Sequence, residues 1–219
     1  MDNPHRFIVV EGPIGVGKTS LARRLAESFG CELLLEGAEE NPFLERFYQD
    51  PRSAALSTQL YFLMQRSRQM QELRQAELFS PVRVADYLME KDRLFAEATL
   101  DEEELKLYEQ IHGHILAETP APDLVIYLQA PAEVLMRRIT QRGRPYERHI
   151  DMTYLRRLSE AYTRLFHNYA AAPVLIVNAA EIDLVNSERD FRQLLTQVCE
   201  TRSGRHYFNP LPLELQGSA

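Results

Sequence analysis

Glu11-Gly12-Pro13-Ile14-Gly15-Val16-Gly17-Lys18-Thr19-Ser20 (EGPIGVGKTS) is the stretch that decides the fold of this 219-residue chain. From Gly12 to Thr19 it satisfies the pattern G-x-x-x-x-G-K-[ST] in full. Phe7-Ile8-Val9-Val10 ahead of it is short, apolar and rich in β-forming residues. Leu21-Ala22-Arg23-Arg24-Leu25-Ala26 behind it repeats apolar residues at helical spacing. Strand, glycine loop and helix is the order of elements that a phosphate cradle needs. Glycines let consecutive backbone N–H groups point inward, and the start of the helix adds the positive end of its dipole. The pattern therefore assigns Gly12, Pro13, Ile14, Gly15, Val16, Gly17, Lys18, Thr19 and Ser20 to a nucleotide phosphate. Lys18 is expected on the β- and γ-phosphates and the Thr19 hydroxyl on Mg²⁺.

Four further segments read as buried strands: residues 32–36 (ELLLE), 82–86 (VRVAD), 124–129 (LVIYLQ) and 174–178 (VLIVN). Helical patterns cover residues 52–79, 102–118, 132–142, 153–171 and 188–201. This alternation predicts an α/β fold of the P-loop NTPase type, a doubly wound parallel sheet of five strands flanked by helices. Ligands of such sheets lie beyond the carboxyl ends of the strands. Glu11, Glu36 and Asp86, all at strand ends, are therefore the informative acidic residues. No internal repeat or low-complexity linker divides the chain, so residues 1–203 are expected to form one domain. Residues 204–219, with Pro210 and Pro212, read as an irregular tail.

Composition narrows the partners. The formal charge of −7 at pH 7 opposes general nucleic-acid binding, which needs a net basic face. Cys31 and Cys199 lie far apart and form neither a metal nor a redox spacing, as expected of reduced thiols in a cytoplasmic protein. No apolar run approaches a membrane span, and Met1-Asp2-Asn3-Pro4 does not open a signal peptide. His112, His114, His149 and His167 form no metal-ligand set.

A phosphate loop alone leaves kinases, GTPases, motors and ATPase modules open. The chain has no clear N-K-x-D guanine signature, and it is as short as kinases acting on small metabolites. It also carries an arginine-rich segment, residues 137–148, in which Arg138, Arg142 and Arg144 bracket a Gly143-Arg144-Pro145 turn. Such a segment reads as a lid that closes on the transferring phosphate, excludes water and spreads the developing charge.

With these residues in place, the chain resembles the deoxynucleoside kinase family, and within it the bacterial purine-deoxynucleoside kinases. The resemblance runs from the first strand to about Leu165. Its segments are EGPIGVGKTS, EGAEENPFLERFYQDP at 36–51, QLYFLMQR at 59–66, ADYLMEKDRLFAEATL at 85–100 and RITQRGRPYE at 138–147. It implies phosphorylation of a deoxynucleoside 5′-hydroxyl by ATP and Mg²⁺, and a homodimer formed through the long helices at 52–79 and 102–118. Glu36 then matches the carboxylate that accepts the hydroxyl proton. The family commonly continues Glu-Pro-Val where this chain reads Glu36-Gly37-Ala38, so Glu39 and Glu40 stay as alternatives. Tyr48 and Glu147 match residues that bind the sugar 3′-hydroxyl.

Gln59 and Arg66, two helical turns apart, would read the base, with Asp92 as the counter-ion of Arg66. Phe43, Phe62 and Phe95 either sandwich the base or belong to the core. Asp86 would bind Mg²⁺ with Thr19. Lys18, Arg142 and Arg144 would stabilise the transferring phosphoryl group, and Arg138 would stack on the donor adenine. The loop at 179–189 matches the family's wrap around the donor base. Many family members read Asp-Arg-Ser where this chain reads Asp86-Tyr87-Leu88, which removes one arginine from the phosphate site. Tyr154, Tyr162 and Tyr169 read as packing. Two rivals remain at this point. A nucleoside-monophosphate kinase of the thymidylate kinase kind would need an arginine clamp from Arg66 or Arg83. The other is a nucleotide-binding module without catalysis.

Overall fold

Alternation in β1 (Phe7–Glu11) sends Ile8 and Val10 to one face of a sheet and Val9 to the other, and all three are buried. The same alternation recurs in β4 (Leu124–Gln129) and β5 (Val174–Asn178), so these strands read as continuous apolar runs because helices cover both faces. The computed structural model of the chain describes residues 3–76, 82–116, 120–184 and 187–209.

On one face, α1 (Lys18–Phe29), α6 (Ala132–Arg142) and α8 (Glu188–Glu200) pack Leu21, Leu25, Leu135, Phe191 and Leu194 onto Ile8, Val10, Leu124 and Ile126. The other face carries α3 (Pro51–Ala76), α4 (Lys91–Thr99), α5 (Glu102–Leu116) and α7 (Met152–Asn168). Their Leu63, Leu94, Tyr108, Leu158 and Phe166 meet Val9, Val125 and Tyr127. A short helix, α2 (Leu44–Gln49), buries Leu44 and Phe47 against the start of α3.

The strands β2 (Glu32–Leu34), β3 (Arg83–Ala85) and β6 (Arg205–Phe208) complete a sheet of order β2-β3-β1-β4-β5-β6, with every pair parallel. The doubly wound parallel architecture is as expected, but the described sheet has six strands rather than five. Residues 205–208, expected within the irregular tail, pair with β5 through Val174 and Arg205 to Val177 and Phe208. That strand lacks an apolar pattern because it is an exposed edge, with Tyr207 72% exposed. Backbone bonding to β5 holds it, and the Arg205 guanidinium also donates to the Phe166 and His167 carbonyls at the end of α7.

β2 and β3 stop earlier than the apolar runs suggested, at Leu34 and Ala85. Glu36 and Asp86 consequently lie just past the sheet, where the chain can turn their side chains into the crevice beyond β1. α7 ends at Asn168 rather than Ala171, because Tyr169 is already extended. Residues 77–81 of the expected long helix, 117–118 of the next, 185–186 of the acidic loop and 210–219 of the tail lie outside the described residues.

Candidate active site

The loop after β1 folds as its glycines require. Gly12 has φ 149°, and a Cβ there would stand 2.4 Å from the Leu128 carbonyl oxygen. Gly15 has φ 83°, and a Cβ there would meet the Ile139 side chain at 2.8 Å and the Leu135 carbonyl oxygen at 2.9 Å. Only glycine fits either position, so the cradle is built against β4 and α6. The Lys18 ammonium turns back and donates to the Gly12 and Pro13 carbonyls at 2.7 and 3.3 Å. Burial pushes its pKa down to about 8, opposed by the Glu11 carboxylate. Arg138 donates to the Val16 carbonyl at 3.2 Å and to the Ala179 carbonyl at 2.8 Å, tying the loop to the segment after β5.

Asp86 joins two parts of the site. One carboxylate oxygen accepts from the Thr19 hydroxyl at 2.5 Å, and the other from the Glu36 backbone N–H at 2.7 Å. Two hard oxygens converging beside a phosphate cradle suit Mg²⁺, which takes few protein ligands and completes its shell with waters and phosphates. Among the described residues, no group of three His, Cys, Asp or Glu side chains forms a denser metal set.

Glu36 lies between two cations. Its carboxylate pairs with the Arg66 guanidinium through one oxygen and accepts from the Lys91 ammonium at 2.8 Å through the other. Each oxygen has two lone pairs, so one on each is left for a substrate hydroxyl. Arg66, 3% exposed, also pairs with the fully buried Asp92, as the sequence suggested. Glu39 and Glu40 are exposed on the rim, and Glu40 accepts from the Gln65 amide, which favours Glu36 among the three carboxylates.

Lys91 is the residue that sequence reasoning passed over. It begins α4, is 2% exposed, and stands 3.7 Å from Glu11 as well as beside Glu36. Burial lowers its pKa to about 8, against the pull of Glu11. A lysine set between Met89 and Leu94-Phe95 is the signal the sequence offers for it. Glu11 is fully buried and accepts from the Gly12 N–H at 2.8 Å, the Leu88 N–H at 2.7 Å and the Tyr162 hydroxyl at 3.0 Å. Tyr162, read as packing, is therefore also a donor in this network. Tyr87, which occupies the place of the missing arginine, points into the core at 1% exposure with its ring 5.8 Å from the Arg66 guanidinium.

Thr19, Glu36, Arg66, Asp86, Lys91 and Tyr162 border one cavity of about 390 Å³. Gly15, Gly17, Lys18, Thr19 and Ser20 of the phosphate loop and its helix line it, together with Glu36, Tyr48, Gln59, Arg66 and Lys91. Phe62 and Phe95 line it, whereas Phe43 packs edge-on against Tyr61 outside it. Gln59 is buried on the same face of α3 as Arg66 and donates weakly to the Thr99 hydroxyl at 3.4 Å. Tyr48 stacks parallel to Tyr146 at 6.5 Å between centroids, and burial raises its phenol pKa.

From the lid, Arg142 grips the buried Glu147 with two bonds of 3.1 and 2.6 Å, and Arg144 donates to the Tyr146 hydroxyl at 2.7 Å. Arg142, Arg144 and Glu147 all face the cavity. Asp92 does not; it stands behind Arg66. Arg83, considered as a phosphate clamp, sits at the amino end of β3 and pairs with Glu32 at 2.8 Å, so it lies at the wrong end of the sheet.

The sequence model of the family described as deoxynucleoside kinase matches residues 8–202. Deoxyguanosine kinase of Bacillus subtilis is 34% identical over 204 residues, spanning 90% of this chain and 98% of that protein. Deoxyadenosine kinase of Lactobacillus acidophilus is 30% identical over 209 residues, spanning 89% and 95%. Deoxyadenosine kinase from M. mycoides, solved with the products dCMP and a flexible dCDP, superposes with a TM-score of 0.76 at 25% identity. That superposition covers 88% of this chain and 98% of the other. The same enzyme with bound dATP gives a TM-score of 0.76 at 26% identity, again over 88% and 98%. With a match running from within β1 to beyond α8, the chain belongs to the deoxynucleoside kinase family and is a phosphotransferase.

Proposed function

We propose that the protein transfers the γ-phosphoryl group of ATP to the 5′-hydroxyl of a purine deoxynucleoside, in nucleotide salvage in the cytoplasm. The observation that carries this reading is the Asp86 carboxylate, which takes the Thr19 hydroxyl on one oxygen and the Glu36 N–H on the other. The phosphate loop and the proposed base are thereby held on two sides of one carboxylate.

Glu36 takes the proton of the 5′-hydroxyl as that oxygen attacks the γ-phosphorus in line. Lys18, Arg142 and Arg144 spread the charge of the transferring group. Thr19 and Asp86 would hold Mg²⁺, which when bound neutralises charge between the β- and γ-phosphates. In this reading Gln59 and Arg66, backed by Asp92, would read the base edge, Tyr48 and Glu147 the sugar 3′-hydroxyl, and Arg138 would stack on the donor adenine. Purine preference rests on relatives named deoxyguanosine and deoxyadenosine kinase. A monophosphate acceptor is disfavoured, because Arg66 is already committed to Glu36 and Asp92.

The test is a radiolabelled ATP assay over the four deoxynucleosides, their ribose counterparts and dAMP, with and without excess EDTA. Deoxyguanosine or deoxyadenosine should be the best acceptor and EDTA should stop the reaction. Preferential phosphorylation of dAMP would refute the acceptor assignment. Exposed Met64 on α3 and Leu107 on α5, 47% and 48% exposed, support a homodimer through those helices. Light scattering on M64E/L107E should then report half the wild-type mass.

A further inference from the structure

A buried ammonium is expensive unless anions surround it. Lys91 meets that requirement with two carboxylates from different parts of the chain, Glu36 at 2.8 Å and Glu11 at 3.7 Å. The two are not equivalent. Glu11 ends a central strand and is pinned by two backbone N–H groups and the Tyr162 hydroxyl, so it is a rigid anchor. Glu36 follows the three-residue strand β2 in a segment without regular structure, and its side chain is held by Arg66 and Lys91.

Arg66 divides its guanidinium between Glu36 and Asp92 and lines the cavity. Lys91 lines the same cavity, and its ammonium pairs with the carboxylates of Glu36 and Glu11. It connects a carboxylate pinned by N–H and O–H donors to one whose side chain is held through ion pairs.

We propose that Lys91 is a positioning residue of phosphoryl transfer, which fixes the Glu36 carboxylate at the 5′-hydroxyl by bridging it to Glu11. This inference rests on the reading of Glu36 as the base. An ammonium on a four-carbon stem suits the task, because three N–H donors can reach two carboxylates without the planar constraint of a guanidinium. The bridge confines the Glu36 side chain to one rotamer, so the acceptor hydroxyl meets an oriented lone pair. Binding of base and sugar, which uses other residues, does not depend on it.

The experiment compares K91M, K91R, E36Q and the double variant K91M/E36Q in single-turnover and steady-state assays, with ATP affinity from calorimetry. K91M should lower kcat by about 100-fold, the scale of a misplaced catalytic group, with KM for nucleoside and Kd for ATP each within about 3-fold. K91R should recover kcat to within about 10-fold of wild type, because it restores the cation. In the E36Q background the K91M substitution should cost almost nothing further, since its effect passes through Glu36.

K91M with wild-type kcat would overturn the proposal. So would a full additional K91M loss in the E36Q background, or equal falls in K91M and K91R with raised KM, the mark of a packing role. If K91M is unfolded by circular dichroism, K91Q replaces it with the same expectations. E36Q separates the two claims. Wild-type turnover by E36Q would end the reading of Glu36, whereas an inactive E36Q beside a normal K91M would end only the role given to Lys91.

Discussion

Replacing Glu11 by glutamine tests whether the buried network behind the phosphate loop carries both stability and nucleotide affinity. Its Oε1 accepts from the Gly12 N–H at 2.8 Å and the Tyr162 hydroxyl at 3.0 Å, and its Oε2 from the Leu88 N–H at 2.7 Å. Glutamine keeps the shape but offers one oxygen and one NH₂ group. Whichever way the amide turns, a backbone N–H of Gly12 or Leu88 faces the NH₂ and loses its acceptor. An unsatisfied buried donor costs about 1–3 kcal/mol, and Lys91 loses one of its two counter-ions as well. The expected loss is about 2–4 kcal/mol, a large share of a typical 5–15 kcal/mol. For a chain of this size that is a fall in Tm of about 4–16 °C.

Y162F removes only one donor and leaves Oε1 with Gly12, so about 1–2 kcal/mol and a smaller shift are expected. Because Gly12 opens the phosphate loop, E11Q should also weaken ATP binding about 5–10-fold, equivalent to about 1 kcal/mol, while Y162F leaves it unchanged. Scanning calorimetry and titration calorimetry on the two variants decide the matter. An E11Q melting point within about 1 °C of wild type, well under the shift of even 1 kcal/mol, would refute the reasoning. So would a Y162F loss equal to that of E11Q.

Gly12→Ala drives a methyl group to 2.4 Å from the Leu128 carbonyl oxygen at φ 149°, so the loop must shift and ATP binding should be lost, as read by calorimetry. R142A leaves the Glu147 carboxylate buried without its fork, and kcat should fall about 100-fold with a rise in nucleoside KM. R142K should not restore activity, since an ammonium lacks the planar fork that matches both carboxylate oxygens. Burial pushes the imidazoles of His5 and His112 below their usual pKa of about 6.5. The unfolded chain then binds protons that the fold resists, so stability is full above about pH 6.5 and declines as pH falls below it. The drop in Tm between pH 7.5 and 5.5 should shrink in H5Q/H112Q, measured by thermal denaturation.

What could be read from the sequence follows from how locally each feature is encoded. The phosphate loop is a run of consecutive residues, and its glycines are required by backbone geometry that neighbours impose. β1, β4 and β5 were legible because burial on both faces demands apolar residues throughout. β6 was not, since Arg205-His206-Tyr207-Phe208 owes its conformation to the ladder with β5 rather than to its own side chains. Glu36 and Asp86 could be placed because they follow recognisable strands. Lys91 and Tyr162 could not, because their roles come from convergence: Lys91 lies 55 residues from Glu36 in sequence, and Tyr162 lies 151 from Glu11. No periodicity marks such a meeting. The same holds for Tyr87, which puts an aromatic ring in the core while Lys91, four residues on, brings a cation to Glu36.

The lid shows how pairing in space changes roles assigned one residue at a time. The family resemblance puts Arg142 at the transferring phosphate and Glu147 at the sugar. They are bonded to each other through Nε and Nη2 of the arginine and both oxygens of the carboxylate. A guanidinium has five N–H donors and a carboxylate about four lone-pair sites, so two mutual bonds leave capacity on each. The pair can therefore keep its fork while the outer edge of Arg142 meets an anionic oxygen and Glu147 accepts from a hydroxyl. Separating the pair would strand a carboxylate that is 2% exposed, at a cost that either ligand alone would struggle to offset. On the proposed reading, donor and acceptor would then both contact this one ion pair. An acceptor lacking the 3′-hydroxyl should on this argument lose kcat as well as affinity, because the carboxylate it fails to engage also orients the arginine. Equal kcat for a deoxynucleoside and its 3′-deoxy analogue would show that the two contacts act separately.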